Sequence, residues 1–266
     1  TNDDQNPSWS PDGRSIIFES NAEGPSKEYF LDLESGTISP VNHPMTGNSA
    51  GARWSADSRY IVFTSDLDGD YEIYIQNLRD SSLYYVTKNA RALTSPKLSP
   101  DGEKIAFSCA DGKDFNICVM NTDGSEMHTI TSDPADDRYP AWSPDGSRIA
   151  FSSNRNGSYE IYSVNPDGTE ITQVTEQENW NCTYPDWSPD GKFLAYMIFS
   201  GDFGPSSDSR LVIAPFGENI VLPITTKNPW DDDEVDFRQP VVIQPPDSYH
   251  SESYSNFRFP IWSSNS

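Results

Sequence analysis

"YPAWSPDGSRIAFSSNRNGSYEIYSVNPDG", residues 139–168, holds two Asp-Gly turns, a tryptophan anchor and a stretch of alternating apolar residues. Its opening recurs along the chain as "NPSWSPDGRSIIFES" (6–20), "GARWSADSRYIVFTS" (51–65), "SPKLSPDGEKIAFSC" (95–109) and "YPDWSPDGKFLAYMI" (184–198). The anchors Trp9, Trp54, Leu98, Trp142 and Trp187 stand 45, 44, 44 and 45 residues apart, and an aromatic follows each nine residues later: Phe18, Phe63, Phe107, Phe151 and Tyr196. Self-similarity at a fixed period marks a repeat architecture.

Each unit reads as four short strands. The first ends in Trp-Ser, and Ser-Pro-Asp-Gly turns the chain, with Pro fixing φ at one corner and Gly free to take φ > 0 at another. "RIAFSS" and "EIYSVN" are rich in β-branched and aromatic residues and form the second and third strands. A second turn, "NPDG" here and "NTDG" at 121–124, leads to a fourth strand ending in Thr: "YYVT", "HTIT", "TQVT" and "LPIT". No helical period of useful length occurs. Four-stranded units at a period near 44 residues predict an all-β fold, a β-propeller of four-stranded blades.

The combination PxWSPDG, an apolar strand ending in Phe-Ser, (E)IY, an Asp-Gly turn and a closing Thr resembles the TolB-type, or WD40-like, propeller repeat over about residues 6–225. The resemblance implies a periplasmic or extracellular propeller, often six-bladed. TolB proteins carry an α/β domain ahead of the propeller, and this sequence opens at the first blade, so a TolB-type propeller rather than TolB itself is expected. A single domain is predicted over 1–266, with blades at 6–44, 50–88, 94–132, 138–176 and 183–226. The sixth blade is assigned to 237–266, with "RQPVVIQPPDSYH" (238–250) as a degenerate first strand and residues 1–5 supplying the missing outer strand. The competing reading takes "FPIWSS" (259–264) as the next inner strand; closure is preferred because an open ring exposes sheet edges.

With 41 acidic against 18 basic residues the chain carries a net charge of −23, which repels phosphate backbones and anionic headgroups, so neither nucleic acid nor membrane insertion is expected. Cys109 and Cys118 flank "ADGKDFNI" and could face one another across a hairpin, as a disulfide or as packed thiols; Cys182 is left over. There is no G-x-S-x-G elbow and no H-E-x-x-H helix, and the three histidines, His43, His128 and His250, fall at no metal or triad spacing.

The top turns are nearly identical from copy to copy, whereas the loops between second and third strands differ: "NAEGPSK", "DLDGDY", "ADGKDF", "NRNGSY" and "FSGDFGPSSDS". A ligand or partner face is therefore expected at the variable end and the channel mouth. Four features stand there. Asp66, Asp68, Asp70 and Glu72 alternate like calcium ligands, or form a solvated hairpin. Trp230 precedes an acidic run at 231–236 that reads as a linker, a cation site or a dock for a basic partner. Asp136, Asp137, Arg138, Tyr139, Trp180 and Tyr184 mix aromatics with polar groups in a manner suited to sugars, or pack between blades. Arg53, Lys97 and Asp186 occupy matching inner-strand positions, where they set the charge of the channel or pair between neighbouring blades.

These features favour a non-catalytic propeller that binds a macromolecule, most simply a protein, and that could self-assemble by strand exchange. The alternative is a carbohydrate-binding or carbohydrate-active propeller, or the gating domain of a larger serine peptidase. No cofactor is required by any motif, with calcium the one candidate.

Overall fold

The computed structural model describes residues 4–41, 47–66, 69–88, 93–177, 180–200, 210–216 and 241–243. Among them lie five four-stranded antiparallel sheets, one per repeat, each built in chain order from inner to outer strand. The blades are β1 (Asp4–Trp9), β2 (Ser15–Ser20), β3 (Lys27–Asp32) and β4 (Ile38–Pro40); then β5 (Ser49–Trp54), β6 (Tyr60–Ser65), β7 (Glu72–Asn77) and β8 (Leu83–Tyr85). The third holds β9 (Leu93–Leu98), β10 (Lys104–Asp111), β11 (Asp114–Asn121) and β12 (His128–Thr129). The fourth holds β13 (Asp137–Trp142), β14 (Ile149–Asn156), β15 (Ser158–Val164) and β16 (Thr172–Gln173), and the fifth β17 (Asn181–Trp187), β18 (Phe193–Phe199), β19 (Arg210–Pro215) and β20 (Val241–Ile243).

One hydrogen-bond pattern builds every turn of the repeat. In the fourth blade the Ser143 hydroxyl donates to Asp145 Oδ1 at 2.6 Å and accepts the Arg148 N–H at 2.9 Å, while Asp145 Oδ1 also accepts the Ser147 N–H at 3.0 Å. The same three contacts recur around Ser10, Ser55, Ser99 and Ser188. A short polar side chain thus satisfies backbone donors that the tight turn leaves unpaired. The closing threonines act alike: Thr87, Thr131 and Thr175 accept the N–H of Ile73, Ile117 and Ile161 at 2.9, 2.9 and 2.8 Å.

Each inner strand also carries a β-bulge, between Gln5 and Ser8, Ala50 and Arg53, Thr94 and Lys97, Arg138 and Ala141, and Thr183 and Asp186. At each bulge one residue takes the left-handed region: Asn6 (φ 54°), Gly51 (73°), Ser95 (56°), Tyr139 (59°) and Tyr184 (56°). Four of the five are not glycine, so the surrounding ladder holds a conformation their side chains disfavour.

The blades stack face to face through the repeat's apolar residues. Ile17 of the first blade packs with Phe63 and Tyr74 of the second, and Ala106 and Ile117 of the third pack with Phe151 and Tyr162 of the fourth. Anchor tryptophans bolt neighbours together: the indole N–H of Trp54, Trp142 and Trp187 donates at 3.1 Å to the carbonyl of Ser8, Lys97 and Ala141 in the preceding blade.

Three expectations are corrected. Five blades are formed among the described residues, not six. Val241–Ile243, read as the start of a degenerate sixth blade, instead pairs with β19 as the outer strand of the fifth, the place expected for "LPIT" (222–225), which lies outside the described residues. Asp4 and Gln5, assigned to an outer strand closing the ring, are the first residues of the innermost strand β1, paired with Ser20 and Glu19. A Val-Val-Ile triplet satisfies an outer position as well as an inner one, and only its partner strand decides.

Candidate functional site

One set of unrepeated residues gathers at the end of the blades opposite the Ser-Pro-Asp-Gly turns. Asp136, just before β13, is their hub: Oδ1 accepts the Phe115 N–H at 3.0 Å, Oδ2 accepts Arg138 Nε at 2.7 Å, and the Tyr159 hydroxyl also donates to Oδ2. The Arg138 guanidinium lies 4.0 Å from the Phe115 ring centroid, a cation–π contact that fixes its plane. Burial and then the Asp136 carboxylate push the Tyr159 phenol upward, so it stays a donor. Beside it the left-handed bulges of β13 and β17 bring two tyrosines together, with Tyr139 and Tyr184 rings 4.0 Å apart and their hydroxyls hydrogen-bonded at 3.1 Å.

Asp137 does not share this hub. It is fully buried and faces Arg155, whose Nη2 lies 3.2 Å from Oδ2 and 3.0 Å from Asp133 Oδ2. Burial raises the Asp137 carboxyl despite hydrogen bonds that favour its ionised form. Trp180 packs against the apolar cluster of the fourth and fifth blades, with the Arg210 guanidinium 5.2 Å from its ring centroid.

Arg53, Lys97 and Asp186 each precede the anchor of their blade, on β5, β9 and β17. The matching residues of β1 and β13 are Ser8 and Ala141. The three charges oppose the effect of burial on one another: Asp186 resists the burial-driven drop of both cations, and the two cations hold down an Asp186 carboxyl that burial raises. Arg53 is buried and donates to the Ala52 carbonyl at 2.7 Å, whereas Lys97 and Asp186 keep part of their surface open. Glu19 completes the cluster: buried, raised chiefly by burial, it accepts Asn6 Nδ2 at 2.7 Å and lies within Coulombic reach of Arg53.

Asp66 accepts both the backbone and side-chain amides of Asn48, at 2.7 and 2.8 Å, Asp70 is exposed, and Glu72 is buried against the Thr87 hydroxyl. Asp68, Trp230 and the acidic run 231–236 lie outside the described residues. Among the described residues no group of three or more His, Cys, Asp or Glu is placed to hold a metal ion. Cys109 and Cys118 are joined by a disulfide diagonally across β10 and β11, and Cys182 is a buried free thiol.

Glu19, Phe115, Arg155 and Tyr159 belong to these networks and were not singled out by sequence. Glu19 carried a usable signal: the residue after the repeat aromatic is Thr64, Ser108, Ser152 or Met197 in the other blades, and only the first blade places a charge there. Arg155 and Tyr159 fall in or beside "NRNGSY", a loop whose variability pointed to its end of the blade but to no residue within it.

No curated protein matches the chain. Among solved structures, a proposed TolB of Agrobacterium tumefaciens is 24% identical, with 80% of this chain and 77% of that one covered at a TM-score of 0.72. TolB of Acinetobacter baumannii is 20% identical, with 80% and 52% covered and a TM-score of 0.66, so the chain spans about half of that protein's length. An oligogalacturonate lyase of Vibrio parahaemolyticus is 17% identical, with 78% and 61% covered and a TM-score of 0.59. At these identities the likeness is one of fold. The TolB beta propeller domain model matches residues 1–108 and 51–203, well over half of the sequence, and the chain belongs to that family.

Proposed function

We propose that this propeller is a binding module that engages a protein partner through the variable end of its third to fifth blades and the adjoining channel mouth. The observation that carries the reading is the Asp136 hub with the Tyr139–Tyr184 pair. It is an ordered cluster of aromatic and arginine side chains on the end where the copies diverge, whereas the opposite end repeats one turn five times. Aromatic residues and Arg are the side chains enriched where protein partners dock. The Cys109–Cys118 disulfide supports an oxidising compartment, extracellular or periplasmic.

Cross-linking the full chain in extracts of its source, with the linked peptides mapped by mass spectrometry, tests the proposal. Cross-links to one partner should fall at least tenfold in Arg138→Ala and Tyr184→Ala and persist in Ser147→Ala, on the repeated turn. Loss in Ser147→Ala with retention in the other two would overturn it. Saturable oligosaccharide binding lost on Tyr184→Ala, with no protein cross-linked, would instead favour a carbohydrate-binding propeller.

A further inference from the structure

The bulges that carry Tyr139 and Tyr184 need no tyrosine. The matching left-handed residue is Asn6, Gly51 or Ser95 in the first three blades, all smaller. Two bulky side chains held at φ 59° and 56° are strained beyond what the repeat requires, and such outliers concentrate at binding and catalytic sites. The position before them builds a blade without charge: Arg138 aligns with Gln5, Ala50, Thr94 and Thr183 at the other bulges.

Around these residues the acceptors are used and the donors are not. Asp136 Oδ1 accepts the Phe115 N–H, and Oδ2 accepts both Arg138 Nε and the Tyr159 hydroxyl. Arg138 gives Nε to that carboxylate and lays its guanidinium on the Phe115 ring. Its two Nη atoms have no hydrogen bond or ion pair among the described residues, and its side chain is 28% exposed. Arg138 and Asp136 neutralise one another, so the remaining donors suit uncharged acceptors; a net charge of −23 disfavours an anion as well.

We infer that this hub takes an uncharged, proline-containing stretch of the partner in the extended polyproline conformation, with the Arg138 Nη atoms donating to its carbonyls and the tyrosine pair receiving its rings. Proline offers a carbonyl without an N–H, which would need an acceptor that the hub has already used. A polyproline segment leaves its carbonyls open, is ordered before it binds, and docks on aromatic side chains. A sugar hydroxyl, in contrast, brings a proton with each oxygen. The inference rests on the protein-partner reading above and narrows it to one class of segment.

Calorimetry on the full chain with three end-capped nonapeptides, one of proline, one of alternating glycine and serine and one of glutamate, tests it. The proline peptide should bind at least tenfold tighter than either of the others. Tyr184→Ser and Arg138→Ala each install the residue type that another blade carries at that position, Ser95 and Ala50, so the bulge is kept. Both should weaken the proline peptide at least tenfold. In the unaltered protein the ring resonances of Tyr139 and Tyr184 should shift on adding it, which answers the question even where a variant fails to fold. Equal affinity for the proline and glycine–serine peptides, tighter binding of the glutamate peptide, or proline binding that both variants retain would overturn the inference. Partner cross-links that depend on Arg138, with no binding of the proline peptide, would sink this inference and leave the protein-partner proposal standing. Proline binding that both variants lose, with no protein cross-linked, would sink the protein-partner proposal and leave the hub's preference for proline in place.

Discussion

Asp145 takes three hydrogen bonds through Oδ1, from the hydroxyls of Ser143 and Ser147 and from the Ser147 N–H, and these hold its carboxyl below the ordinary 3.8. Asp12, Asp57, Asp101 and Asp190 are lowered by the same arrangement. A carboxyl whose folded pKa is depressed stabilises the fold at pH above 3.8, and that contribution is lost as pH falls through the lower folded value. Glu19, Asp137, Glu160 and Asp186 are raised, mainly by burial, and run the other way: they favour the fold below their unfolded pKa, and that contribution is lost as pH rises through the folded one. Asp145→Asn should therefore lower the melting temperature at pH 7 and lose that deficit as the pH drops below 3.8, so that melts recorded across the acid range converge with the wild type. A deficit that stays constant with pH would show that geometry, not ionisation, matters at this turn. The role of this aspartate is legible in the sequence because its partners lie within two residues. Asp137 was not legible in the same way: its partner Arg155 is brought to it by the pairing of β13 with β14, and nothing local marks the two as a pair.

Between elements, the tolerance is set by how closely one blade's turn approaches the end of the preceding blade's outer strand. Gly124, at φ +83°, sits where a Cβ would overlap the Val86 carbonyl oxygen beyond β8, and Gly168, at φ +84°, would place one 3.1 Å from the Ile130 carbonyl oxygen beyond β12. Gly112 has a similar φ of +75° with open space around it. Gly112→Ala should thus cost the backbone term alone, about 1–2 kcal/mol, and Gly124→Ala should cost more, about 3 kcal/mol or above, because Val86 must move as well. Urea denaturation of the two variants checks the difference, and equal costs would show that the turn shifts freely. The Asp-Gly signal announced both turns, but only the folded stack distinguishes the glycine that touches a neighbour. Most of the bulges were hidden for a related reason: Asn6 and Gly51 are residue types that tolerate φ > 0, but Tyr139, Tyr184 and Ser95 do not advertise it, and the conformation is imposed by pairing with the second strand. The outer strand of the fifth blade was misassigned because a long interval separates it from β19 and two apolar segments fit the strand pattern equally well.

At the scale of the whole molecule the blades are not equally enclosed. The repeat aromatic is fully buried at Phe63, Phe107 and Phe151, and the apolar residue two positions before it is fully buried at Ile61, Ile105 and Ile149. In the first blade the corresponding Phe18 and Ile16 are only half-buried. The cause is the order of stacking. Each aromatic packs against the preceding blade, as Phe63 does against Ile17, and among the described residues no apolar cluster joins the Phe18 face of the first blade to another blade. Truncating a fully enclosed phenylalanine costs about 3–5 kcal/mol, because its cavity is walled on every side. Phe107→Ala should fall in that range, while Phe18→Ala, with part of its surface already in contact with water, should cost about half as much. Chemical denaturation of both variants, at a low and a high protein concentration, reads the outcome. Equal costs at low concentration would show that the first blade is as enclosed in solution as its neighbours. A Phe18→Ala cost that grows with concentration would show that a second copy covers this face.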